Sequence, residues 1–155
     1  MTDASEPGDS RAVERLVLAY ADRIDAGDFE GVARLLADAD LTAEGDGRVL
    51  HGYDAVLRRY RSTTRLYEDG TPKTKHLTTN LVVDVEHGGA AAACRSYYTV
   101  LQAVPGALPL QPVIAGRYAD RFERVDGTWR FAHRHILVDL IGDLSHHLLF
   151  DLPAS

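Results

Sequence analysis

The spacing of apolar residues changes character along this chain of 155 residues. Val13, Leu16, Val17, Tyr20 and Ile24 recur at intervals of three and four, the stripe a helix turns toward a core. Asp9 or Ser10 stands where that helix needs an N-cap, because a short oxygen-bearing side chain accepts from the free N–H groups of a first turn. Gly27 ends the helix, and Asp28 caps a second, short one carrying Phe29, Val32, Leu35 and Leu36. Leu41 and Ala43 read as extended, a turn follows at 45–47, and a short strand at 48–51 leads to Gly52. There a third helix opens, with Ala55, Val56 and Tyr60 on its buried side. The polar stretch 62–74, holding Gly70 and Pro72, predicts a long loop of the kind that covers a site.

Beyond Lys75 the pattern is that of strands. Segments 77–85, 90–104, 110–124 and 128–140 are separated by His87-Gly88-Gly89, Pro105-Gly106 and Asp126-Gly127, all turn signals. Three helices, a hairpin between the second and third, and then four long antiparallel strands predict an α+β domain. Its curved antiparallel sheet wraps around the three N-terminal helices and encloses a pocket. Leu81-Val82-Val83 and Ile136-Leu137-Val138 put apolar residues on both sheet faces. The helices cover only one of these, so a homodimer or homotrimer is expected through the other. Residues 1–9 are expected to form a disordered tail and 10–142 the domain. In 143–155, Leu144, Leu148, Leu149 and Phe150 follow helical spacing, which predicts a lid over the pocket or an interface segment.

Composition narrows the functional classes. Seventeen Lys and Arg against 23 Asp and Glu give a net charge of −6, with the signs interspersed. Nucleic-acid binding calls for a basic stripe, and Arg58, Arg59, Arg61 and Arg65 read instead as a solvated helix face. No apolar run is long enough to span a membrane, and the acidic start is unlike a targeting signal, so the expected location is cytoplasmic. The single cysteine, Cys94, rules out an intrachain disulfide and reads as a small buried apolar residue.

Two residues stand out chemically. Asp25 falls in the last turn of the first helix, where the helix dipole disfavours a carboxylate, and on a flank shared with Leu18 and Ala21. That setting predicts a raised pKa and suits a base or the orienter of a histidine. His76 begins the first long strand, on the face of Thr78, Asn80 and Val82, and imidazole is the side chain best suited to move protons near neutral pH. His133 and His135 form an H-x-H pair without a third ligand at a recognisable spacing, so no metal is expected. His146 and His147 can reach the pocket rim. Signatures of P-loops, dinucleotide-binding folds, G-x-S-x-G hydrolases and H-E-x-x-H zinc enzymes are missing from the sequence.

The order Tyr20-Ala-Asp-Arg-Ile-Asp25-Ala-Gly-Asp-Phe29, Thr74-Lys-His76-Leu-Thr-Thr-Asn80, Gly116-Arg-Tyr118-Ala-Asp120 and Val125-Asp-Gly-Thr-Trp129-Arg-Phe131 resembles the SnoaL-like branch of the NTF2-like superfamily. That branch includes scytalone dehydratase, bile acid 7α-dehydratases and a dehydrochlorinase. The resemblance implies a cone-shaped fold and an Asp–His dyad at Asp25 and His76, with Tyr20 one and a half turns before the Asp. It also implies a cofactor-free lyase or isomerase, of dehydratase or cyclase type, acting on a hydrophobic polycyclic, polyketide or steroid-like molecule. Tyr97 or Tyr98, Tyr118, Asn80 and Arg134 are the expected substrate contacts. Ile24 and Thr42 stand where scytalone dehydratase has tyrosines. The alternatives are a noncatalytic small-ligand binder with the same pocket, or an assembly module resembling the small subunit of ring-hydroxylating dioxygenases.

Overall fold

The computed structural model describes residues 7–152. Its elements run α1 (Pro7–Asp25), α2 (Phe29–Leu35), β1 (Asp40–Ala43), β2 (Leu50–His51), α3 (Tyr53–Thr63), β3 (Thr74–Val85), β4 (Ala91–Val104), β5 (Leu108–Val125) and β6 (Thr128–Ile141). The six strands form one sheet in the order β2-β1-β6-β5-β4-β3. The four long strands are an antiparallel meander, as their turn signals require. β1 lies parallel to β6, which makes the sheet mixed, a pairing that the short extended stretch could not announce.

Of the expected tail, residues 1–6 lie outside the described residues, and α1 already begins at Pro7. Asp9 is therefore inside the first turn. Its carboxylate accepts from Trp129 Nε1 at 3.0 Å and from Arg124 at 2.9 Å, tying α1 to the β5–β6 hairpin. At the other end, Gly27 (φ 71°) turns the chain, and its carbonyl accepts from the N–H of Phe29. A Cβ at this glycine would lie 1.9 Å from the Gly70 carbonyl oxygen, so the α1–α2 corner and the loop after α3 meet backbone to backbone. Asp28 caps α2 by accepting from the Gly31 N–H at 2.8 Å.

The core lies between the helices and the concave sheet face: Val13, Val17, Val32, Leu36, Val56, Phe122 and Phe131 are almost wholly buried. Register shifts at Thr79/Val82 in β3, at two points between β4 and β5, and at two between β5 and β6 curl the sheet around them. Burial alternates cleanly through β4, from Ala92 and Cys94 to Tyr98 and Val100. The shift in β3 reverses the alternation. Asn80 sits in it at φ 54°, a conformation Asn tolerates better than most residues, and from there on Leu81, Val83 and Val85 are the ones packed against the core.

Residues 143–152, the described part of the expected lid or interface segment, form turns and a bridge. Asp143 Oδ1 accepts from the N–H and hydroxyl of Ser145, the N–H groups of His147 and Leu148 donate to the Leu144 carbonyl, and Leu148 bridges Thr64.

Candidate functional site

α1 and β3 bring Asp25 and His76 together, 51 residues apart in sequence. The last residue of α1 points its carboxylate at the first residues of β3. Asp25 Oδ1 accepts from His76 Nδ1 at 2.6 Å and from the Thr74 hydroxyl at 2.9 Å; Oδ2 accepts from the His76 backbone N–H at 2.8 Å. Both side chains are nearly buried. Burial alone would push the Asp25 carboxyl up, but the donors from His76 and Thr74 outweigh it and hold the carboxyl below its usual range. The expected upward shift is thus reversed, because a sequence shows the helix end but not the three donors that converge on it. An ionised Asp25 fixes the His76 proton on Nδ1 and leaves the Nε2 lone pair free.

His76 opens onto a cavity of about 180 Å³. Its walls are Tyr20 and Ile24 from α1, Leu41 from β1, Tyr60 from α3, Tyr98, Val100, Ile114, Tyr118, Ile136 and Val138 from the sheet, and His147, Leu148, Phe150 and Leu152 from the C-terminal segment. The segment closes the space that loop 62–74 was expected to cover. From that stretch only Thr63, the last residue of α3, and Thr64 reach the wall. It serves as a support: the Arg65 N–H donates to the His147 carbonyl at 2.8 Å, the Leu149 N–H to Thr63 at 2.9 Å, and the Tyr67 hydroxyl to the His146 carbonyl. At the mouth, Asp46 accepts from Arg48 at 2.6 Å and pairs with Arg59 at 3.2 Å, while the Arg59 guanidinium lies over the Phe150 ring.

The other expected site residues, Tyr20 and the substrate contacts, divide. Tyr20, Tyr98 and Tyr118 line the cavity; Tyr97, Asn80 and Arg134 do not. Tyr97 is on the outer face, half exposed, because its neighbour Tyr98 takes the inward position. Asn80 is the exposed residue of the β3 irregularity, so the shared face with His76 ends before it. Arg134 does point inward, but it is fully buried behind the cavity wall. Its guanidinium grips Asp120 through two hydrogen bonds of 2.8 and 2.7 Å and packs on the rings of Tyr118 and Tyr20, 3.8 and 4.2 Å from their centroids. A side chain so engaged holds the tyrosines in place and has no reach to a ligand.

The hydroxyls are largely committed too. Tyr98 donates to the Leu137 carbonyl at 2.8 Å, so it has no proton for a ligand. Tyr20 and Tyr60 hydrogen-bond to each other, which leaves one proton between them. Burial raises both pKa values and that of Tyr118, keeping all three protonated. Elsewhere, His133 Nε2 and His135 Nδ1 both meet the Thr42 hydroxyl, at 2.8 and 2.7 Å, and among the described residues no group of three or more His, Cys, Asp or Glu is placed to hold a metal. Burial pushes the Cys94 thiol up to about 11, the state of an inert packing residue. No helix among the described residues is long and apolar enough to cross a membrane.

Sequence reasoning missed Thr74, Tyr60, Asp120 and the mouth group of Asp46, Arg48 and Arg59. Thr74 carried a local signal, lying two residues before His76 on the same strand face. The others depend on register or on chain crossings with no local mark.

The SnoaL-like domain family matches residues 6–135. Among solved structures, the chain is similar to a single-substitution variant of Rv3472 from Mycobacterium tuberculosis, a protein of unknown function, at 28% identity over 89% of this chain and 79% of that one, with a TM-score of 0.68. It is similar also to a proposed scytalone dehydratase from Novosphingobium aromaticivorans DSM 12444, at 23% identity over 100% and 95% of the two chains with a TM-score of 0.73. LinA aligns at 22% identity over 99% and 100% with a TM-score of 0.71. The last two likenesses are of fold. No curated protein matches the chain. With most of its length matched, and with three helices packed into a curled six-stranded sheet, the chain belongs to the SnoaL-like domain family.

Proposed function

We propose that this protein is a lyase or isomerase that removes a proton from carbon next to a carbonyl or a leaving group in a small hydrophobic ring compound, with His76 as base. The carrying observation is the free Nε2 of His76 beside an apolar cavity, with Nδ1 held by an ionised Asp25. The C–H pair moves into a new C=C bond as the carbonyl π pair moves to oxygen, or as the leaving group departs. The proton ends on His76 Nε2, and the imidazolium is stabilised by the Asp25 carboxylate, which stays ionised. Proton transfer is all this chemistry needs. The remaining proton of the Tyr20–Tyr60 pair is a source for a departing hydroxyl.

Size narrows the ligand. An apolar cavity of roughly 150 Å³ accepts benzene, so about 180 Å³ suits one or two rings better than a four-ring skeleton. The outer sheet face, with Leu77, Val82 and Tyr97 exposed, is assigned to a second or third copy of the chain.

The test uses acetophenone in heavy water. The protein should speed exchange of the methyl protons for deuterium, and His76→Ala should lower that rate by about two to four powers of ten. Exchange no faster than in buffer, with acetophenone nevertheless bound, would leave a noncatalytic binder with the same pocket.

A further inference from the structure

His147 is a buried polar side chain that the Asp25–His76 chemistry leaves unused. Its backbone is pinned on both sides: its N–H donates to the Leu144 carbonyl at 3.0 Å, and its carbonyl accepts from the Arg65 N–H at 2.8 Å. The residue is 7% exposed and lines the cavity, and its Nδ1 has no hydrogen-bond partner among the described residues. It stands edge-on to His76 with 6.5 Å between centroids. An unpartnered buried polar group costs roughly 1–3 kcal/mol, so a ring held this firmly in such a place calls for a partner absent from the protein itself.

The ring's own chemistry says what that partner is. Burial, aided by the nearby His76, lowers the His147 pKa to about 4, so the ring is neutral near pH 7 and carries one N–H and one lone pair. Nδ1 is sealed from solvent without a partner among the described residues. A proton there would be an orphaned N–H, the rarer and costlier kind of unsatisfied group. The proton therefore sits on Nε2, the nitrogen a ligand can reach. Tyr98 has no proton to give, and Tyr20 and Tyr60 have only one between them, which leaves the Tyr118 hydroxyl as the donor that competes with His147.

We propose that His147 is the hydrogen-bond donor for the ligand's oxygen, a carbonyl that becomes an enolate, placed so that the adjacent carbon faces His76. The ligand class is then a small ring compound bearing a ketone or ester carbonyl. Proton removal by His76 shifts the π pair onto that oxygen, and the neutral Nε2–H of His147 stabilises the charge that develops there. This proposal rests on the reading of the cavity as a ligand site.

The experiment compares acetophenone with cumene, which has the same outline and no acceptor, by proton–nitrogen NMR on protein labelled at the histidine ring nitrogens. Wild type should prefer acetophenone by roughly three- to tenfold, the worth of one net hydrogen bond, and the shift should appear at His147 Nε2. His147→Phe should erase the preference while cumene still binds, and His147→Gln, which keeps an N–H donor, should restore part of it. A preference retained in His147→Phe, or lost in Tyr118→Phe instead, would overturn the proposal. If neither compound binds wild type, the ligand cavity falls and this proposal with it. A His147-dependent preference without deuterium exchange would remove only the role of His76 as base.

Discussion

Asp25 holds His76 twice, by the ring at 2.6 Å and by the backbone N–H at 2.8 Å, so one carboxylate fixes both the tautomer of the imidazole and the first residues of β3. Asp25→Asn cannot serve both. Its amide either faces the His76 backbone N–H, donor against donor, or takes the oxygen from the ring and Thr74. The variant should lose about 1–3 kcal/mol in urea unfolding, and nitrogen NMR should show the His76 proton no longer confined to Nδ1. Retention of both the Nδ1–H tautomer and the wild-type urea midpoint in Asp25→Asn would refute this account, because the amide can keep one of the two contacts but not both.

Gly116 and Tyr98 are cross-strand partners, and the inward turn of Tyr98 depends on the missing side chain. A Cβ at Gly116 would lie 2.0 Å from the Leu137 carbonyl oxygen and 2.6 Å from the Tyr98 hydroxyl. Gly116→Ala must therefore displace the ring that stacks on Tyr118 at 4.5 Å. A loss of about 2 kcal/mol or more is expected, in the range of overpacked cores, with acetophenone binding weakened as the cavity wall shifts. An unchanged unfolding midpoint would contradict this.

What the sequence made legible, and what it did not, follows from how each residue is placed. The stripe from Val13 to Ile24 and the turns at Gly27 and Gly106 are local, and Asp25 and His76 are set by helix end and strand start. Asn80 and Arg134 depend on irregularities. Counting back from the Asp126-Gly127 turn pairs residue 120 with 133, and only the shift at Arg121/Phe122 puts Asp120 opposite Arg134. The choice of Tyr98 over Tyr97 as the inward tyrosine is likewise a matter of phase along β4. His147 reaches the cavity through a chain reversal held by Arg65 and Leu144, contacts no periodicity describes.

The outer sheet face gives a prediction about assembly. Leu77 and Tyr97 are about half exposed, and Tyr97 lies beside the Arg117–Asp139 ion pair. Light scattering at micromolar concentration should show a dimer or trimer, and Tyr97→Glu, which sets a carboxylate in the middle of that face, should shift it to monomer without changing the unfolding midpoint of the monomer. A monomeric wild type would remove the interface.

Stability should fall on mild acidification, and His147 is the reason. Its folded pKa, about 4, is below the ordinary 6.5, so between these values the unfolded chain takes up a proton that the folded chain refuses. Stability is therefore intact above about pH 6.5 and declines as the pH falls toward 4, by as much as about 3 kcal/mol from this group. The lowered Asp25 carboxyl adds a loss at still lower pH, beginning as the unfolded carboxylate protonates. Urea midpoints of wild type should drop between about pH 7 and pH 4.5, and those of His147→Phe should stay nearly level. Parallel curves for the two proteins would show that another group governs the acid limb.

The Asp120–Arg134 pair is the strongest constraint on the cavity wall, since both side chains are wholly out of solvent. Two hydrogen bonds to Asp120 and packing between Tyr20 and Tyr118 compensate the buried guanidinium, although its second terminal nitrogen has no partner among the described residues. Asp120→Ala leaves that charge unpaired and should cost about 3–5 kcal/mol, while a joint Asp120→Leu and Arg134→Met replacement should recover much of it, because the desolvation of both charges is removed together. The double variant also tests the separation of roles. Arg134 acts on the ligand only by positioning Tyr20 and Tyr118, so a refolded double variant should keep the preference for acetophenone over cumene and the deuterium exchange within about tenfold of wild type, as expected for a residue that contributes no transition-state contact of its own. Loss of the carbonyl preference in a well-folded double variant would mean that Arg134 reaches the ligand after all.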